Sequence, residues 1–177
     1  LGAVVSHVEL LGQAVAPDWT ASGLIGLVTG KRHESKATTV LLDVGSEDGA
    51  ARGMAAVNER GMIGRVIEVG RHSARVLLLT DFNSRIPVLV EPSRDQAILA
   101  GNNTGRPALA FLPLNPRLAV GDAVVTSGRG GVLPPGLEVG RVRSLDDAGV
   151  AVEPLVDFTR LEYLRLLRYT NVLPPEQ

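Results

Sequence analysis

From Leu24 onward the apolar residues fall in short runs cut by Gly, Pro, Asn and Asp. That is the pattern of strands joined by turns. About twelve strands are predicted, near 24–29, 38–44, 55–58, 62–69, 74–80, 86–91, 97–101, 107–112, 122–127, 138–145, 149–155 and 161–169. No helical pattern lies between them, which argues against βαβ units and for barrels or sandwiches. VLLL (76–79) and IPVLV (86–90) are apolar on both faces and read as central strands. LEYLRLLRY (161–169) is less clear, because each face of a strand there mixes Leu with charge, while Leu161, Leu164 and Leu167 share a helical spacing. It is read as a strand.

The first turns differ. Leu1, Val4, Val8, Leu11 and Val15 follow 3-4-3-4 spacing until Pro17 stops them. A short helix is expected over 1–22, either packed on the body or ending a coiled coil. An internal echo also stands out. GMAAV (53–57) precedes IGRVIEV (63–69), and GDAVV (121–125) precedes VGRVRSL (139–145). Each is a Gly, a short apolar strand, a turn, then Gly-Arg-Val opening another strand, as expected of two β-subdomains of related design.

Composition sharpens this picture. The chain has 177 residues, 45% hydrophobic and only 3% aromatic, with 20 Gly and 11 Pro. That supports a real core and suits many turns better than long helices. The net charge is −1 and the Arg residues are scattered. A basic stripe backed by stacking aromatics is missing, so nucleic acid is not an expected partner. With no Cys, disulfides, thiolate metal sites and Cys nucleophiles are excluded. The chain opens on Leu1 and has no apolar run of membrane-helix length. It is expected to belong to a longer product, with any anchor outside these residues.

Candidate chemistry is sparse. Ser127 lies in TSGRGG (126–131), and a Ser nucleophile needs a base and a group orienting it. His7, His33 and His72 are the available bases, and no spacing brings one to Ser127, so the loop reads as a turn. GLVTGKR (26–32) has the wrong spacing for a phosphate loop, and Arg32 stands where Ser or Thr would hold magnesium. Asp43, Glu47 and Asp48 lack calcium-loop spacing, while Asp146 and Asp147 read as a hairpin tip. No catalytic, cofactor or metal site is expected. A double-barrel serine hydrolase using Ser127 with His33 or His72 is the alternative, and a secreted carbohydrate-binding module a third reading that the scarce aromatics disfavour.

Six segments in order resemble the MreC family of rod-shape-determining proteins. They are GSEDGAARGM (45–54), GMIGRVIEVG (61–70), SARVLLLTD (73–81), NSRIPVLVE (83–91), VGDAVVTSG (120–128) and GGVLPPGLEVGRV (130–142). VTSG followed by PPG is the most telling pair. The likeness covers roughly 38–145 and continues more weakly through 153–164, whereas 17–37 carries no family motif. The resemblance implies a mainly β fold: two small six-stranded β-barrels arranged as in chymotrypsin-like proteases but without a triad, preceded by a short N-terminal helix. The expected division is a helix over 1–22, a first barrel over 23–72 completed by 146–170, a second over 73–145 and a tail over 171–177. The family further implies a non-catalytic scaffold for cell-wall elongation on the periplasmic side of the inner membrane, anchored by one helix outside this chain. Its implied partners are itself, a class B penicillin-binding protein and the membrane protein MreD.

Overall fold

The structure, a computed structural model, describes residues 19–34 and 37–171. Short apolar runs between turn residues give twelve strands there. They are β1 (Trp19–Glu34), β2 (Ala37–Leu42), β3 (Ala55–Val57), β4 (Met62–Val69), β5 (Ala74–Leu78), β6 (Arg85–Val90), β7 (Gln96–Ala100), β8 (Ala108–Ala110), β9 (Ala123–Thr126), β10 (Glu138–Asp146), β11 (Gly149–Pro154) and β12 (Tyr163–Asn171). They close into two antiparallel barrels, β1-β12-β3-β4-β5-β2 and β10-β11-β8-β7-β6-β9.

The expected helix falls mostly outside the described residues. Its last four positions, 19–22, belong to β1, where Trp19 lies opposite Asn171 and Ser22 opposite Arg168. Both inner boundaries lie one strand later than the sequence suggested. β5 sits in the first barrel, paired with β2 and β4, and β11 sits in the second, paired with β10 and β8. Short turns are the reason. Val69 faces Ala74 across one, and Asp146 faces Gly149 across the other, so each strand folds back on its predecessor. The final strand then crosses back and closes the first barrel between β1 and β3.

β12 explains its own mixed pattern. Leu164 and Leu166 fill the first barrel with Val40, Leu42, Val76 and Leu78. Leu167, on the opposite face, joins Ala55, Val57 and Met62 in a cluster with Leu137, Val139 and Leu99 of the second barrel. The strand is apolar on both sides because it lies between two cores, and burying each large aliphatic contributes roughly 1.5–3 kcal/mol.

The sequence echo is a structural one. In the first barrel Gly53 N–H donates to Val66 O (2.9 Å) and Val66 N–H to Met54 O (2.9 Å). In the second, Gly121 N–H donates to Val142 O (2.8 Å) and Val142 N–H to Asp122 O (2.9 Å). Gly53 and Gly121 share φ +95°, a left-handed angle that favours glycine. Gly64 and Gly140, the glycines of the two Gly-Arg-Val segments, lie against a neighbouring strand. A Cβ would come within 1.9 Å of Leu77 O at Gly64 and 2.3 Å of Glu153 O at Gly140.

Between the barrels the chain turns through 79–84. Asp81 is 2% exposed there. Its carboxylate accepts hydrogen bonds from Thr38 N–H (2.6 Å) and from Asn83 N–H (2.7 Å) and Nδ2 (3.0 Å). A buried carboxylate needs such donors, and these tie β2 of the first barrel to the connection.

Candidate interaction surface

The residues weighed for catalysis are dispersed. Ser127 follows β9 in the second barrel, where its Oγ accepts from Arg129 N–H at 3.2 Å and its own N–H donates to Pro87 O. His72 lies in the β4–β5 turn of the first barrel, with Nδ1 3.3 Å from Glu47 Oε2. His33 lies on β1, and His7 lies outside the described residues. Thr126, beside Ser127, is buried. Its Oγ1 donates to Pro134 O (2.6 Å) and accepts from Leu137 N–H (2.9 Å), so VTSG and PPG are two ends of one pinned loop.

The acidic residues each have separate work. Asp43 Oδ1 accepts from Leu27 N–H (2.7 Å), Asp48 Oδ2 caps a short 3₁₀ turn (Ser46–Asp48) through Gly45 N–H (3.0 Å), and Glu47 pairs with Arg71 (2.6 Å). Asp146 Oδ1 accepts from Ala148 N–H (2.9 Å) at the β10–β11 tip. Among the described residues no group of three His, Asp or Glu converges as a metal site would require.

A cleft of about 350 Å³ is lined by Asn58, Glu59, Arg60, Asp157, Arg160, Glu162 and Tyr163. Asp157 is held below the ordinary carboxylate value first by the Thr159 hydroxyl, then by Thr159 N–H, with Arg160 and Arg60 adding to both. Arg160 and Arg60 thus already face Asp157.

The outer surface is more distinctive. The run expected as a strand over 107–112 is paired only over Ala108–Ala110. Phe111 leaves it at φ +60° with its ring 85% exposed, and Leu114 and Val120 on the same loop are 99% and 62% exposed. A left-handed angle costs a non-glycine residue roughly 1–2 kcal/mol, so the backbone is strained where the ring faces solvent. Sequence reasoning assigned Phe111 to a strand. The signal lay in FLPLNPRL (111–118), whose prolines cannot donate to a ladder yet flank large apolar residues. In the connection between the barrels, exposed Phe82 carries Arg85 over its ring at 5.7 Å.

Two closed six-stranded barrels sharing an apolar seam, with hydrophobic side chains turned outward on their loops, define a double-barrel β protein. The family described as "Rod shape-determining protein MreC, barrel core" matches residues 20–168, and the chain belongs to that family. It is 46% identical over 136 residues to the cell shape-determining protein MreC of Cereibacter sphaeroides, covering 77% of this chain and 45% of that protein. The crystal structure of MreC from Pseudomonas aeruginosa is similar at a TM-score of 0.75 and 30% identity, over 81% of this chain and 97% of that one. A chain from the complex between Penicillin-Binding Protein (PBP2) and MreC of Helicobacter pylori shares the fold at a TM-score of 0.63 and 17% identity, over 82% and 98% of the two chains. The chain spans about half the length of the curated relatives it matches.

Proposed function

We propose that this chain is a non-catalytic scaffold for cell-wall elongation and rod shape, working outside the inner membrane through protein–protein contact. Its partners in this reading are other copies of itself, a class B penicillin-binding protein and, at the membrane, MreD. A single helix outside the chain supplies the anchor. The observation that carries the reading is the Phe111–Val120 loop, whose side chains are exposed beyond what a solvent-facing loop requires and whose backbone is strained at Phe111. Aromatic anchors set in an apolar patch are what protein interfaces use. The Helicobacter pylori relative, solved in complex with a penicillin-binding protein, supports the choice of partner.

Calorimetric titration with the periplasmic part of an elongation penicillin-binding protein tests it. Saturable binding is expected, and Phe111→Ser with Leu114→Ser should weaken it by about tenfold or more, at unchanged Tm. No saturation at high micromolar concentration overturns the reading.

A further inference from the structure

The Phe111–Val120 loop is fixed at points that leave its apolar residues outside. Leu118 is 5% exposed and Leu112 packs against the same core cluster, so the chain touches the second barrel at both ends of LPLNPRL (112–118). Past Leu118, Asp122 Oδ2 accepts from Ala119 N–H (2.8 Å) and Asp122 N–H donates to Ala119 O (3.1 Å), which seats the loop at the start of β9. Between these anchors Pro113 and Pro116 have a fixed φ and restrict the residues before them, Leu112 and Asn115. Leu114 stands between the two prolines, fully outside.

A further tie comes from outside the loop. Asp95 Oδ2 accepts from Arg117 N–H at 2.8 Å, across 22 residues of sequence. Among the described residues, no other hydrogen bond joins 112–117 to the rest of the chain. Asp95 closes the β6–β7 turn, where its N–H donates to Ser93 Oγ (3.3 Å) and its carbonyl oxygen accepts from Val90 N–H (2.9 Å). A turn aspartate ordinarily spends its side chain on its own backbone. Here the backbone serves the turn, and the half-buried carboxylate reaches across to the loop. An ionised acceptor also makes this a stronger bond than a neutral one. An ordered surface binds without the entropy cost of fixing a mobile one. Where only a fraction of the molecules hold the right form, affinity falls by that fraction.

We propose that Asp95 is the positioning residue of the Phe111–Val120 surface, holding the loop through Arg117 N–H in the conformation that the partner protein binds. This rests on the scaffold reading and deepens it. Two measurements test it: methyl relaxation of Leu114 in the free chain, and surface plasmon resonance against the periplasmic part of an elongation penicillin-binding protein. In Asp95→Ala the Leu114 methyl order parameter should fall, and the association rate should drop about fivefold with the dissociation rate unchanged. Asp95→Asn keeps an acceptor oxygen and should restore both. Neither variant touches a core, so both should keep the Tm. Phe111→Ser with Leu114→Ser removes the contacts themselves and should instead raise the dissociation rate. A Leu114 methyl that stays rigid in Asp95→Ala, an unchanged association rate, or a loss confined to the dissociation rate overturns the proposal. So does an Asp95→Asn chain that behaves like Asp95→Ala, which would make the charge itself the contact. If the unaltered chain does not bind the penicillin-binding protein, the scaffold reading falls and the Leu114 order parameter alone decides the clamp. If it binds and Asp95→Ala changes nothing, only the clamp falls.

Discussion

The second barrel is one continuous run from β6 to β11, whereas the first closes only when β12 returns to lie between β1 and β3. Both contain the same Gly-strand-turn-Gly-Arg-Val unit with matching hydrogen bonds. They differ in what surrounds it. β12, β3 and the start of β4 present a second apolar face to the second barrel through Leu167, Ala55, Val57 and Met62. The surfaces differ too, since the apolar Phe111–Val120 loop stands on the second barrel. A repeated internal design fixes how each barrel closes, and the parts outside the repeat carry the contacts.

A charge in either core is the largest perturbation available. Leu78→Asp in the first barrel and Leu99→Asp in the second bury a carboxylate at sites that are at most 1% exposed. Each should cost more than about 4 kcal/mol. Because the seam is shared, thermal unfolding by circular dichroism should show the two barrels losing structure together. A surviving second transition would show the barrels to be independent.

The paired glycines compare the repeats directly. Gly64→Ala and Gly140→Ala both drive a methyl into a neighbouring backbone oxygen, at roughly 1–3 kcal/mol each. Gly64 has the closer approach and should show the larger loss in urea denaturation. An effect at only one position would break the equivalence of the two units. Thr126→Val removes a buried hydroxyl from Pro134 O and Leu137 N–H, costing about 1–3 kcal/mol. Thr126→Ser, which keeps the hydroxyl, should retain most of the stability by the same measurement.

The smallest effect is expected at the Asp157 turn, for which the second barrel has no described counterpart. Its lowered pKa means the Thr159 contacts are present above the ordinary carboxylate value of 3.8 and are lost as pH falls through the lower folded value. The Thr159 amide resonance should shift with a midpoint below 3.8, and since the carboxylate is exposed the Tm should stay unchanged.

Much of the architecture was legible because strand signals are local. Apolar runs and turn residues located all twelve strands, and the echo of Gly-Arg-Val anticipated a real repeat. Pairing was not local. Which barrel owns β5 and β11 depends on turn length and register, and β1 extends back to Trp19 only because the distant Asn171 lies opposite. The mixed pattern of 161–169 could not be assigned to a face until both of its faces had neighbours. The surface was least legible, since an apolar residue in a strand-like run gives no sign of facing solvent. Phe111 looked like the end of a strand, and its exposure follows from a backbone angle that its residue type does not encode.

The claim that the exterior carries the biology can be tested in cells depleted of their own copy and supplied with the full-length protein, scoring aspect ratio by microscopy. Ser127→Ala should restore rods, while Phe111→Ser with Leu114→Ser, made to the same level, should leave the cells round. Round cells with a folded Ser127→Ala protein, or rods with the double variant, would contradict the account.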